Sequence, residues 1–360
     1  MRCAIVGSGL GALAAYATLR QGGVGAEEIT VLGIHADPTE IWRGRAEAIR
    51  QRRMRSESDG HLAAAAFPGL AVREMASTGS PAPLLRSVTN RYHPTVPDFL
   101  AHAARVRARS GWDTSFSERR VACIHAVDGG FELDGEGPFA HVFVATGHPG
   151  LRRPDDLPGA VHAYEPHEYA SEVTIVGAGM AAATEWLNAL AAGAEVISVR
   201  RREPLRRPLN VPRPLFSKRG LAAFHAAGHE ARATTLRELS TPSYPPGRAW
   251  DAPLRIAERE GRFRVAREVN GSPQVIAATG FEHGFEHDPL LADLVAAHAL
   301  ETHDRWIVLA PDSTVPALTD EARTLTLAGV AAQWAFPAAD TIAGAKYAAR
   351  AHLRRVCRTR

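Results

Sequence analysis

Cysteine is scarce in this 360-residue chain: Cys3, Cys123 and Cys357 are the only three, with no C-x-x-C pair among them. Their spacing excludes a vicinal redox dithiol and offers no metal-ligand pattern, and their scarcity predicts a reducing, cytoplasmic setting. Long apolar runs are also missing. None reaches the ~20 residues of a membrane span, and Met1 leads almost directly into a strand pattern without the apolar core of a signal peptide. Neither membrane insertion nor export is expected. Charge of one sign is lacking too: 42 Lys+Arg against 39 Asp+Glu leave a formal +3, too little to imply nucleic acid as a partner. The arginines crowd instead at 50–55, 200–207 and 350–360, so the expected anionic partner is local, such as a phosphate group.

What is present is ordinary globular composition, 45% hydrophobic and 22% charged, in a chain long enough for two domains with a core each. Cys3-Ala-Ile-Val, then Gly7-Ser-Gly9-Leu-Gly11-Ala12 and an alanine-rich stretch to Arg20, reads as strand, glycine turn and helix. Ile29-Thr-Val-Leu32 closes a βαβ unit of about the ~30 residues that such units need. The segment from Ile41 to Pro97, polar and broken by five prolines, predicts irregular structure. Asp98 to Arg109 predicts a helix, Val121 to Leu133 a meander turning at Gly129-Gly130, and His141-Val-Phe-Val144 a buried strand ending in Ala145-Thr146-Gly147. Residues 149–168, with four prolines, read as a linker.

Beyond the linker both patterns return. Val173-Thr-Ile-Val176 runs into Gly177-Ala-Gly179-Met-Ala-Ala182 and a helix, and Val275-Ile-Ala-Ala278-Thr-Gly280 repeats the Ala-Thr-Gly strand. In each fingerprint the first glycine makes the turn, the second lets the backbone approach a pyrophosphate, and the small third residue packs helix on strand. The helix N-terminus supplies N–H groups to the anion. One such fingerprint is weak evidence; two, each between a strand and a helix, predict two dinucleotide sites. The last strand and helix, Leu325 to Gly329 and about Thr341 to Val356, have no βαβ unit of their own and predict a return to the first domain.

The residue ending the second strand of each unit tells the nucleotides apart: a carboxylate there binds a ribose hydroxyl and an arginine a 2′-phosphate. Val196-Ile-Ser-Val199 runs into Arg200-Arg201-Arg202, with no acid at that point, which reads as NADPH through Arg200 and Arg201. Ile29-Thr-Val-Leu32 ends instead at Gly33. Three readings follow: His35 or Asp37 substitutes, adenosine binding is weak, or the ligand is lost.

The order of fingerprint, Ala-Thr-Gly strand, second fingerprint, arginine cluster and Ala-Thr-Gly-Phe281 resembles the two-dinucleotide-binding flavoproteins, most of all their flavin-containing monooxygenase branch. Leu157-Pro-Gly159-Ala-Val-His162 is similar to that branch's F-x-G-x-x-x-H signature, with Leu157 for Phe and one residue fewer. Gln333-Trp334 and Thr341 to Ala349 resemble its flavin-proximal strand and helix. The resemblance implies an α/β fold of two Rossmann-like domains, the NADPH domain (168–280) inserted in an FAD domain built from 1–154 and 284–360. It implies FAD held by Gly7, Gly9, Gly11, Ala12, His35, Thr146, Gly147, Gly329 and Gln333, and NADPH held by Gly177, Gly179, Ala182, Arg200 and Arg201. NADPH would reduce the flavin, and a peroxyflavin formed with dioxygen would oxygenate a small molecule, the cofactor doing the chemistry. Arg55, Ser56 and His61 are the candidates at the flavin face, and no metal is required. The alternatives are a flavin reductase or oxidase without oxygen insertion, and a non-catalytic nucleotide-binding relative.

Overall fold

The computed structural model describes residues 2–54, 69–88, 92–207, 211–269 and 271–359. Two five-stranded parallel sheets organise it. The first is ordered Thr324–Leu327, β7 (His141–Val144), β1 (Cys3–Val6), β2 (Ile29–Gly33), β3 (Phe116–Glu118). The second is ordered Phe263–Ala266, β10 (Glu195–Val199), β9 (Glu172–Val176), Val275–Ala277, β8 (Val161–His162). In both, the fingerprint strand is central, with the second strand on one side and the Ala-Thr-Gly strand on the other. Registers agree as well: Val6 pairs with Leu32 and Val144, Val176 with Val199 and Ala277.

Parallel strands covered on both faces need continuous apolar runs, and β1, β7 and Thr324–Leu327 are buried at every residue. Alternation then divides the first sheet between two cores. Cys3, Ile5 and Phe143 face α1 (Leu10–Gln21), the helix Val96–Ser110 and the C-terminal helix Ile342–Arg358. Ala4, Val6, Val142 and Val144 face a small antiparallel sheet of β4 (Ile124–Val127), β5 (Gly130–Leu133) and β6 (Glu136–Phe139). The fold is thus α/β with two Rossmann-like units, the second inserted in the first: the chain leaves after β7, builds the second sheet and returns with Thr324–Leu327. The C-terminal helix lies against α1, Leu353 occupying the space above Gly22.

The irregular structure expected for 41–97 is corrected by three helices: α2 (Glu40–Ala48), Gly69–Thr78 and Ala82–Val88. Pro81 and Pro94 misled the reading because they stand between helices, and Pro83 and Pro97 because they stand in first turns, where the missing N–H is harmless. Pro83 lies in the first turn of its helix, and Pro97 opens Val96–Ser110 behind the capping Thr95.

Two features place the units. The chain's two crossings between sheets pair with each other: Arg152 N–H donates to Gly280 O at 3.0 Å and Glu282 N–H to Gly150 O at 3.0 Å. Thr146 and Thr279, the threonines of the two Ala-Thr-Gly motifs, each bond to the opposite crossing, Thr146 to Asp288 at 2.7 Å and Thr279 to Arg152 O. Second, the helices Lys218–Ala226 and His229–Leu239 bury Leu221, Phe224, Ala233 and Leu236 in the core that holds Trp334 and Phe336. This helical pair, within the inserted stretch, packs on the first unit.

Candidate functional site

Both fingerprints are built on one geometry. Gly7 N–H donates to Leu32 O at 2.7 Å and Ala145 N–H to Val6 O at 2.7 Å, so the β1 turn is pressed onto the Ala-Thr-Gly strand. Gly177 N–H to Val199 O, 3.0 Å, and Ala278 N–H to Val176 O, 2.8 Å, repeat the pattern. Gly7 (φ +106°) and Gly177 (φ +141°) take backbone that L side chains avoid, and a Cβ at either would overlap the carbonyl of Ala145 or Ala278. Ala12 and Ala182, both fully buried, allow the close helix–strand approach. Each helix starts at a glycine, Gly9 or Gly179, that provides no side-chain cap. First-turn N–H groups left in this way are anion donors.

The first turn opens into a cavity of about 1310 Å³, beyond the ~300–1,000 Å³ of a single drug-sized ligand. Gly7, Gly9 and Gly11 line it at one side, His35 and Asp37 beyond β2, Thr146 to Pro149 after β7, and Gly329 and Asp340 to Ala343 from the C-terminal segment. Gly329 comes within 3.9 Å of Gly147 Cα, measured from the Cβ it lacks. Of the second fingerprint only Met180 reaches this cavity. Gln333 lies in a small adjoining cavity with Trp306, whose Nε1–H donates to its side chain at 3.5 Å. Arg55, Ser56 and His61 fall outside the described residues.

At the end of β2 the structure supplies a reason for glycine. A Cβ on Gly33 would overlap the Ser8 side chain and stand 2.8 Å from Ser8 N. The Ser8 hydroxyl then accepts from His35 N–H at 3.1 Å. An acid is absent because Ser8, the residue between the first two glycines, fills its place. Of the substitutes considered, His35 meets Glu40 at 3.0 Å through Nδ1. Asp37 accepts from Thr39 N–H (2.9 Å) and Oγ1 (2.7 Å) and pairs with Arg43 at 3.1 Å. Burial would raise its carboxyl, but the Thr39 bonds and Arg43 hold it below the usual range.

At the end of β10 the expectation of an arginine run without a competing acid needs correction. Glu203, one turn on, pairs with Arg200 at 3.0 Å. Arg200 is largely buried, 5.7 Å from the Trp186 ring centre, and its Nε has no partner among the described residues. Arg201 is exposed.

Several cavity residues escaped the sequence reading. His148 and Tyr164 both stack on Phe281, at 4.1 and 5.0 Å, and Arg45 lies over the same ring. Burial, with Arg45 and His283 adding repulsion, pushes His148 down to about 4 and leaves it neutral. Asp340 is accessible through the cavity while protein surrounds it elsewhere, and desolvation raises its carboxyl. Phe281 had a signal, since it directly follows the second Ala-Thr-Gly. His162, by contrast, is a buried residue of β8, the edge strand that the second sheet draws from the stretch expected to be a linker, accepting from Tyr164 N–H (3.2 Å) and meeting Gly280 O (3.0 Å).

No protein-family model and no curated protein matches the chain. Solved structures do. An ornithine hydroxylase from Pseudomonas aeruginosa superposes with a TM-score of 0.71 at 16% identity, over 99% of this chain and 99% of that one. An ornithine N-hydroxylase from Kutzneria sp. 744, with reduced FAD, NADP+ and L-ornithine, gives 0.68 at 14% over 98% and 99%. A cadaverine monooxygenase of desferrioxamine biosynthesis from Erwinia amylovora, bound to FAD, gives 0.72 at 12% over 98% and 94%. At these identities the likeness is one of architecture: from end to end, the chain has the fold of these flavoprotein monooxygenases.

Proposed function

We propose that this chain is an FAD-dependent, NADPH-reduced oxidoreductase, a monooxygenase acting on a small molecule with dioxygen. The observation that carries the reading is the pair of matched glycine cradles, one opening into a cavity large enough for a dinucleotide and a second ligand. Uncapped helix starts and glycines whose Cβ would overlap a carbonyl fit a pyrophosphate and leave no room for a side chain there. Gly7, Gly9, Gly11, Ala12, Thr146, Gly147 and Gly329 would hold FAD in the unit formed by 1–154 and 284–360, with His35 at the adenosine end. Gly177, Gly179, Ala182, Arg200 and Arg201 would hold NADPH in 168–280. When bound, the reduced flavin supplies the electrons that activate dioxygen.

The protein's part is to bind, orient and exclude water. The Thr146–Asp288 bond fixes the Ala-Thr-Gly turn on the cavity wall, and the Phe281 stack closes the wall between the units. Arg55, Ser56 and His61 stay our candidates for the flavin face, and Gln333 for its support. Ornithine and cadaverine, the molecules named for proteins of this fold, make small primary amines the first substrates to try. Three free cysteines and the lack, among the described residues, of a helix long and apolar enough to cross a membrane accord with a cytoplasmic enzyme.

The test is direct. Protein as purified should carry FAD by absorbance, and a primary amine should accelerate NADPH oxidation without equivalent peroxide release. Colourless protein that takes up no added FAD would leave a non-catalytic nucleotide binder. Stoichiometric peroxide with every amine tried would point to a reductase or oxidase, a reading that a bacillithiol disulfide reductase from Bacillus cereus of the same fold (TM-score 0.61, 14% identity) keeps in view.

A further inference from the structure

The wall between the two units carries an arginine that the sequence patterns assign to nothing. Arg45 stands on α2, lines the cavity and rests over Phe281, its guanidinium carbon 4.7 Å from the ring centre. Among the described residues no carboxylate pairs with it; Tyr164 is the one titratable group that favours its charge. Glu165, next to Tyr164, is already bound by Arg153 and by His162 N–H at 2.9 Å. The imidazoles beside it, His148 and His162, are both pushed toward the neutral form, chiefly by burial. His148 Nδ1, moreover, is buried without a partner among the described residues.

A guanidinium partly withdrawn from water, as Arg45 is, gains from an anion that supplies the counter-ion. Both expected dinucleotides carry a diphosphate, so the question is which one Arg45 meets. Its contacts are with the crossings that lead to the second unit, Phe281 and Tyr164. The end of α2 is tied to that unit too, Asn188 Nδ2 donating to Ile49 O at 2.8 Å, and Arg50 lies 4.4 Å over Tyr169. Met180, first residue of the second fingerprint helix, lines the same cavity.

We propose that Arg45, a residue of the first unit, binds the phosphates of the nicotinamide dinucleotide held by the second, so that the nucleotide itself bridges the seam. The inference rests on the dinucleotide reading above. It gives Arg45 the geometry of a clamp: a planar fork already ordered by stacking, which loses little freedom when a phosphate binds.

The experiment uses the full-length, FAD-loaded protein, with NADP+ binding measured by calorimetry alongside FAD content and Tm. Arg45→Met keeps an apolar stem over Phe281 and removes the charge. NADP+ should bind about 10- to 100-fold more weakly, the loss expected for charge-assisted bonds, with FAD content and Tm unchanged. Arg45→Lys should recover part of the affinity, because it restores charge without the fork. Wild-type affinity for NADP+ in Arg45→Met, whether or not Tm falls, would make Arg45 a structural stacking residue and overturn the proposal. Loss of FAD in place of NADP+ would move the anion to the flavin diphosphate and overturn it as well. If wild-type protein binds no NADP+ at all, the dinucleotide reading falls together with this inference, whereas equal binding by wild type and variant removes the inference alone.

Discussion

The two units share a strand order, a register and a glycine turn, yet differ at the next element, where each would choose its nucleotide. In the first, β2 ends at Gly33 because Ser8 leaves no room for a side chain. In the second, β10 ends at a valine followed by arginines, and the residue corresponding to Ser8 is Ala178. The approach of the glycine turn thus decides what the neighbouring strand can carry: at Gly33 the Ser8 Cβ and backbone N crowd the position along with the hydroxyl. The lesson is that a fingerprint and its downstream acid are a coupled pair, so a missing acid is to be judged by its steric partner before it is read as lost function.

The units also differ in how their histidines are held, and titration should separate them with the largest effect. In the first unit His141 and His352, buried against each other, are pushed down to about 4 and about 3 by desolvation. Their folded values lie below the unfolded ~6.5, so the stability they allow is complete above about pH 6.5 and is lost as pH falls toward 4. At ~1.4 kcal/mol per unit, a loss on the order of 3 kcal/mol for each histidine is expected across that window. His167, against the second unit's fingerprint helix, behaves in the opposite sense. Burial alone would lower His167, but Glu185 at 2.9 Å and the Glu165 carbonyl raise it, so its contribution is complete below about pH 6.5 and fades as pH rises through its folded value. Thermal melts of wild type and His352→Gln between pH 4 and 8 check this. An equal acid slope in both would remove His352 from the account.

The steric coupling at Gly33 is testable next. Gly33→Ala should cost about 1–3 kcal/mol through overpacking against Ser8, read as a lower Tm; unchanged Tm would mean Ser8 moves aside freely. The paired change Ser8→Gly with Gly33→Glu relieves the side-chain overlap but leaves the backbone one, Ser8 N at 2.8 Å. It should recover part, not all, of the Tm that Gly33→Glu alone loses, and no recovery would make the backbone contact the whole of the effect.

The arginines should give the smallest effect, and an unequal one. Arg201→Ser is expected to weaken NADPH by about 1.5 kcal/mol, roughly tenfold, with little change for NADH. Arg200→Ser should do less, since Glu203 already takes part of its charge. Apparent Michaelis constants for both nucleotides decide it, and equal losses on NADPH and NADH would withdraw the 2′-phosphate assignment.

Much of the fold could be read from the chain because its signals are local. Strand, glycine turn and helix follow one another within thirty residues, and a repeat of that order is visible without any long-range contact. The return of the C-terminal strand to the first sheet was likewise expected from its lack of a partner unit. The helices between 40 and 88 were missed because proline spacing hides short helices whose first turns tolerate it. Arg45, His148, Tyr164 and Phe281 come from four separated segments, and no local pattern marks them as neighbours.

The sequence by itself determined two βαβ cradles, their order and their insertion, since backbone strain at Gly7 and Gly177 and continuous apolar strands admit few alternatives. Only the tertiary structure decided that Gly33 answers to Ser8, that Glu203 meets Arg200, and that Arg45 faces the seam. The physical reason is range: turns and strands are fixed by neighbours along the chain, whereas steric exclusion, ion pairing and desolvation depend on which distant side chains arrive at the same place.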